Sequence, residues 1–102
     1  MWEAEAQGFA AMGSQARLRV LKVLVRAGEP GLTVGEIQDR TGITPSTLAH
    51  HLKHLAAGGL VAQERVGRAT INRARFDALR DLAGFILEEC CADEARKAVN
   101  DG

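Results

Sequence analysis

The stretch Leu32 to Val61, LTVGEIQDRTGITPSTLAHHLKHLAAGGLV, constrains the fold most, because it writes the start and stop signals of two consecutive helices. Thr33 can cap a short helix, and Glu36, three residues on, completes a capping box. Val34 and Ile37 point inward, and the helix ends at Thr41-Gly42. Thr44 then suits an N-cap, and Pro45 suits the first helical position, where its missing N–H costs nothing. Gly58-Gly59 can take the left-handed conformation that closes this second helix. Between those ends Leu48, Leu52 and Leu55 recur at i, i+4 and i+7 as one narrow apolar stripe. At about 100° per residue, Ser46, Ala49, His50 and Lys53 fall on the opposite side. That side is small, polar and almost free of negative charge, which suits close approach to another surface.

Around this block the rest of the chain reads as further helices and one hairpin. Trp2 to Met12 forms a first helix with Trp2, Ala6 and Phe9 on one face, weakened by Gly8. Ser14 caps a second helix from about Gln15 to Ala27, with Leu18, Leu21 and Val25 as the expected buried stripe and Val20 and Leu24 widening it. Arg17, Arg19, Lys22 and Arg26 take the wet side. After Gly59 the period changes. Leu60 to Arg65 and Ala69 to Asn72 read as short strands around Val66-Gly67-Arg68, a hairpin with glycine at its tip. From Arg75 to about Cys91 the period is helical again. Phe76, Leu79, Ala83, Ile86 and Cys90 line one face, and Leu82, Phe85 and Leu87 extend it. So wide an apolar surface needs two partners, the chain's own core and a second copy of the molecule.

The 102 residues suffice for one domain with a modest core, and scarce aromatics with abundant Ala, Leu, Arg and Glu favour a mostly helical fold. Net charge is zero, but its distribution is uneven. From Arg40 to Arg75 six basic side chains (Arg40, Lys53, Arg65, Arg68, Arg73, Arg75) face only Glu64, whereas the segment after Arg75 is acidic. A basic middle suits a domain that meets phosphate along one edge. No apolar run approaches the roughly 18 residues of a membrane span. The first residues, MWEAEAQ, lack the basic-then-apolar order of a signal peptide, so a cytoplasmic location with reduced cysteines is expected. No Gly-rich phosphate loop, nucleophile–base pair or paired carboxylates in a cleft are evident, so an enzyme is not expected.

Two helices joined by the turn Thr41-Gly42-Ile43-Thr44 match the helix-turn-helix layout, with the Thr44–Gly58 helix as the reading element. The order of helices and hairpin resembles the small winged-helix repressors of the ArsR/SmtB family. The likeness is carried by SQARLRVLKVL (Ser14 to Leu24), by the Leu32–Val61 block and by ERVGRATI (Glu64 to Ile71), and with the flanking helices covers nearly the whole chain. The resemblance implies one winged helix-turn-helix domain over residues 1–102, in the order α-α-α-α-β-β-α, with a wing at about 60–73 and a dimerisation and sensor helix at about 75–91. It also implies a homodimer built through the first and last helices, here Trp2, Phe9, Leu79, Leu82, Phe85 and Ile86. Such a dimer represses transcription from an inverted-repeat, double-stranded DNA operator until an inducer releases it.

The family's inducer sites can be sought position by position. Where some members carry Cys-Val-Cys before the recognition helix, this chain has Thr33, Val34 and Gly35. Where others bind zinc with Asp and His on the last helix, this chain has Asp77, Asp81, Glu88 and Glu89 but no His. A third group has adjacent cysteines in a Leu-Thr-Glu-Asn-Cys-Cys-like setting, and Phe85-Ile86-Leu87-Glu88-Glu89-Cys90-Cys91 matches it. Those relatives respond to trivalent arsenic, so arsenite or antimonite at Cys90 and Cys91 is the implied inducer, with no permanent cofactor. Soft thiolates suit a soft centre whose hydroxyls exchange readily. As(III) prefers a third ligand, which would be hydroxide, water or a cysteine beyond Gly102. Two other readings stay open for the pair: thiol redox or sulfur sensing, and small apolar filling at a helix end with no effector.

For DNA, the resemblance places contacts at Thr44, Pro45, Ser46, Thr47, Ala49 and His50 near the helix start, where hydroxyls and an imidazole can reach base edges or phosphates. Pro45 stands where relatives often have Gln. Lys53 suits the backbone, and Arg65 and Arg68 on the hairpin suit phosphate or the minor groove. His50 and His54 are i, i+4 neighbours that could bind a divalent ion, although it would sit on the DNA face; His51 reads as a packed histidine. From another class, a winged helix that binds protein as an adaptor would show no salt-dependent affinity for DNA.

Overall fold

A computed structural model describes residues 1–94. Residues 95–102, with Arg96 and Lys97 of the acidic C-terminal segment, lie outside the described residues. The elements in chain order are α1 (Glu3–Ala11), α2 (Gln15–Ala27), β1 (Leu32–Thr33), α3 (Val34–Thr41), α4 (Pro45–Ala57), β2 (Val61–Val66), β3 (Ala69–Ala74) and α5 (Phe76–Leu87). Local chemistry sets most of these boundaries. The Ser14 hydroxyl accepts from Arg17 N–H at 3.1 Å and starts α2. Thr33 and Glu36 close a capping box at α3: Thr33 Oγ1 accepts from Glu36 N–H at 3.2 Å, and Glu36 Oε1 accepts from Thr33 N–H at 2.9 Å. At α4 the proline is in place but Thr44 makes no side-chain cap; its hydroxyl donates to Thr47 Oγ1 at 3.1 Å instead.

Val20, Leu21 and Leu24 of α2, Ile37 of α3, Leu48, Leu52 and Leu55 of α4, and Leu60 and Val61 form the core. The stripe expected on α2 is displaced. Leu18 and Val25 are exposed, while Val20 and Leu24, expected only at its edge, are fully buried. Arg17, expected in water, is half-buried and donates from Nη1 to the Ala11 carbonyl at 3.1 Å, closing the end of α1. On α1 the buried positions are Gly8 and Ala11, whereas Trp2 and Ala6 are exposed.

The sheet has three strands in the order β1-β3-β2, not the two of a bare hairpin. β1 pairs antiparallel with β3, Leu32 opposite Asn72 and Thr33 opposite Ile71. The hairpin pairs Val61 with Ala74 through to Val66 with Ala69, leaving Gly67-Arg68 as a two-residue turn. Asn72 is fully buried: its Nδ2 donates to the Leu32 carbonyl at 3.2 Å, and its Oδ1 accepts from Gln63 Nε2 at 2.8 Å. A polar side chain at such a site ties β1 to the wing because burial without partners would be costly.

α1 packs against both α4 and α5. Two glycines allow this. A Cβ on Gly8 would stand 2.9 Å from Leu82 Cδ1, and one on Gly58 would stand 2.4 Å from Ala11 Cβ. Gly8, expected only to weaken its helix, is thus the place where α5 seats. α5 ends at Leu87, four residues before the expected Cys91, because Glu88 turns extended (φ −55°, ψ 134°) and Glu89 takes φ 63°. Cys90 therefore leaves the apolar face it was expected to share with Ile86.

Candidate nucleic-acid interface and thiol pair

The turn between α3 and α4 fixes the presentation of α4. Gly42 is left-handed at φ 73°, a conformation that a side chain would resist. The buried Thr41 hydroxyl donates to the Ile37 carbonyl at 2.8 Å and accepts from Ile43 N–H at 3.2 Å. With Leu48, Leu52 and Leu55 sunk into the core, the other side of α4 is presented outward. Thr44, Pro45, Ser46, Thr47, Ala49, His50 and Lys53 are all exposed there. No acidic side chain occurs in α4, so its N-terminal amides and dipole face outward without a competing carboxylate.

The wing carries its charge at the tip. Arg73 is not part of that tip: its Nη1 pairs with Glu64 at 3.5 Å and its Nε donates to the Glu29 carbonyl at 2.8 Å. Arg75 pairs with Asp77 at 3.3 Å. Arg65 and Arg68 are exposed at the turn, where Arg65 Nε donates to the Gly67 carbonyl at 3.2 Å.

The family model described as "Helix-turn-helix domain" matches residues 12–64, which span α2 to β2. A solved ArsR-like transcriptional regulator from Rhodococcus sp. RHA1 superposes with a TM-score of 0.77 at 28% identity, covering 97% of this chain and 90% of that one. The chain belongs to the ArsR-type winged helix-turn-helix transcriptional regulators. Among ArsR-type relatives of known structure is a homodimeric winged helix-turn-helix DNA-binding domain, Mb0332 from Mycobacterium bovis, described as a possible ArsR-family transcriptional regulator. It is 27% identical, with a TM-score of 0.69 and coverage of 86% of this chain and 82% of that one. The Bacillus subtilis (strain 168) protein YceK, an uncharacterized HTH-type transcriptional regulator, is 30% identical over 82 residues, covering 79% of this chain and 81% of YceK. Among the described residues no helix is long and apolar enough to cross a membrane.

In this ArsR-type chain the residues expected at a dimer contact divide into two groups. Trp2 and Ile86 are exposed, Phe9, Leu79 and Phe85 are half-buried, and the Trp2 and Phe85 rings meet edge-on at 5.8 Å. Leu82 departs from the expectation: it is buried within its own chain against Gly8. Leu87 adds a further exposed apolar side chain at the end of α5.

Cys90 and Cys91 are both exposed, and their sulfurs lie 3.4 Å apart. The backbone achieves this by taking Cys91 to φ 62°. Hydrogen bonding with the Cys90 thiol raises the Cys91 thiol above its ordinary pKa, with smaller contributions from desolvation and from the Glu94 carboxylate.

The three histidines of α4 separate by environment. His50 and His54 are exposed with ring centroids 4.5 Å apart, whereas His51 is half-buried with Nδ1 enclosed and without a hydrogen-bond partner. Burial lowers the His51 pKa, and the charges of His50, Arg17 and His54 act in the same direction. A histidine with a depressed folded pKa stabilises the fold fully above its unfolded pKa and loses that contribution as pH falls through the folded one. Urea unfolding of the wild type should thus lose stability on acidification below about pH 6.5. His51→Gln should flatten that part of the profile, and an unchanged profile in the variant would assign the acid sensitivity elsewhere.

Proposed function

We propose that the protein is a homodimeric repressor that holds two α4 helices in successive major grooves of an inverted-repeat operator. The reading face is Thr44, Pro45, Ser46, Thr47, Ala49, His50 and Lys53, and Arg65 and Arg68 reach flanking phosphate. Trp2, Phe9, Leu79, Phe85 and Ile86 supply the contact between copies, with Leu82 acting from within the chain. Two such helices must stand about 34–36 Å apart to meet consecutive grooves.

The inducer in this reading is arsenite or a related thiophile. The observation that carries it is the pair of exposed sulfurs 3.4 Å apart, just beyond the exposed Ile86 and Leu87 of α5. Each thiol displaces one hydroxyl of As(OH)3: an As–S bond forms, an As–O bond breaks, and the thiol proton leaves with the hydroxyl as water. Two exchanges leave one hydroxyl on arsenic as its third ligand. The chelate re-forms the end of α5 beside the contact between copies and changes the spacing of the reading helices.

Fluorescence anisotropy on inverted-repeat DNA tests this reading, with arsenite, antimonite, zinc and an oxidant added in turn. Arsenite should weaken operator binding about tenfold or more, a coupling of about 1.4 kcal/mol that must reappear as tighter arsenite binding to the DNA-free dimer. The variant with Cys90→Ser and Cys91→Ser should bind the operator as the wild type does and ignore arsenite. A response that survives in that variant rejects the site.

A further inference from the structure

We infer that the joint between α1, the end of α4 and α5 is a binding site for a small organic cation, an ammonium group carried on a compact apolar body. A cavity of about 230 Å³ opens there. Leu60 and Leu82, both buried, give it apolar walls. It stays open because Ala4, Gly8, Gly59 and Ala78 line the remainder without long side chains. At Gly59 a Cβ would meet nothing within 4 Å, while φ 79° favours leaving that position bare.

The charge of the cavity is one-sided. On α1, Glu5 stands three residues before Gly8, and on α5, Asp81 stands three residues after Ala78, so each carboxylate shares a helix face with a residue of the cavity wall. Glu5 is half-buried, and no basic side chain lines the space. Among the described residues neither carboxylate forms an ion pair. Gly58 brings the C-terminal end of α4 to the same place, and the helix dipole is negative there. Two unpaired carboxylates and a helix C-terminus call for a positive charge. The leucine walls call for an apolar body beside it, which a hydrated inorganic ion lacks.

Size narrows the class further. Pockets for drug-sized ligands hold about 300–1,000 Å³, and a void of about 150 Å³ accepts benzene. A cavity between these limits matches one ring with a short ammonium arm, and benzylammonium has that shape.

The consequence rests on the repressor reading above. α1 packs against both α4 and α5, so an occupant of this joint touches the helix that carries the proposed reading face and the helix that carries the proposed contact between copies. Occupancy and operator binding are therefore coupled, by the same factor in each direction. The site is separate from the thiol pair and answers to an ammonium ion, which thiols do not bind.

The test titrates the full chain with benzylamine at pH 7, with benzyl alcohol as the neutral probe of the same shape. Benzylammonium should bind with a Kd below about 1 mM and shift the amide resonances of Gly8, Gly58 and Gly59. Benzyl alcohol should bind at least about fivefold more weakly, because it forgoes the charge-assisted contacts. The variant with Glu5→Gln and Asp81→Asn should lose the same factor for benzylammonium and none for benzyl alcohol. Ala78→Leu, which adds bulk to the cavity and keeps both carboxylates, should block both probes. Equal binding of the two probes, undiminished benzylammonium binding in the carboxamide variant, or no binding up to about 1 mM overturns the site. Saturating benzylammonium should change operator affinity at least about threefold in the wild type and not in Ala78→Leu; an unchanged affinity overturns the coupling. If the ligand-free protein bound no operator, the repressor reading would fall, while the titrations and glycine resonances would still decide the site.

Discussion

Leu52→Ala should lower the stability of the fold by about 2–5 kcal/mol, the range for deleting a fully buried leucine side chain with incomplete collapse of the cavity. Leu52 is 1% exposed, and Leu48 and Leu55 on the same stripe are fully buried. A domain's whole stability is about 5–15 kcal/mol, so this one truncation consumes a large share of it. Urea unfolding at fixed protein concentration measures the effect, with the midpoint shifting and the slope unchanged. Leu52→Met, which conserves volume, should cost less than about 1.5 kcal/mol. A loss under about 1 kcal/mol for the alanine variant would mean that α4 is not anchored through this stripe. The functional corollary is direct: the face opposite these leucines keeps its aim only while they hold the helix.

Replacing both wing arginines, Arg65→Ala with Arg68→Ala, should flatten the salt dependence of operator binding. Each phosphate that is no longer neutralised reduces the slope of log affinity against log salt by about 0.9, so four arginines in a dimer account for up to about 3.6. At physiological salt that corresponds to an affinity loss on the order of 10²–10³-fold. Stability should stay within about 0.5 kcal/mol, because both side chains are exposed at the turn. Arg73→Ala is the contrasting variant. Its guanidinium is committed to Glu64 and to the Glu29 carbonyl, so the salt slope should barely change. A double variant that retains the wild-type slope would place the wing away from DNA.

Much of this architecture was legible because short-range chemistry wrote it. Ser14, the Thr33–Glu36 box and Pro45 announce helix starts through groups that satisfy, or dispense with, otherwise orphaned N–H donors. The glycine in the hairpin turn and the change of period after Gly59 announce the wing. What escaped depends on neighbours. α2 is apolar over so wide an arc that periodicity does not say whether Leu18 and Val25 or Val20 and Leu24 meet the core. A two-residue strand such as β1 has no period, and its partner lies about forty residues away, at Asn72. The end of α5 at Leu87 rests on the backbone angles of Glu88 and Glu89, which carry no conspicuous residue type.

The candidate sites divide in the same way. The exposure of the other side of α4 could be placed from the leucine stripe alone, since burying one side of a helix fixes what the other side shows. The proximity of Cys90 and Cys91 followed from adjacency, but their position beyond the helix did not. The separation of His51 from His50 and His54 agrees with its reading as a packed histidine, and its enclosed Nδ1 is visible only in three dimensions.

Gly8 and Gly58 let three helices approach closely. Leu82 of α5 rests in the notch over Gly8, and Ala11 of the same α1 rests in the notch over Gly58 at the end of α4. The helix that ends beside the sulfurs and the helix whose outer side is exposed thus bear on one and the same helix, α1, at two glycine notches.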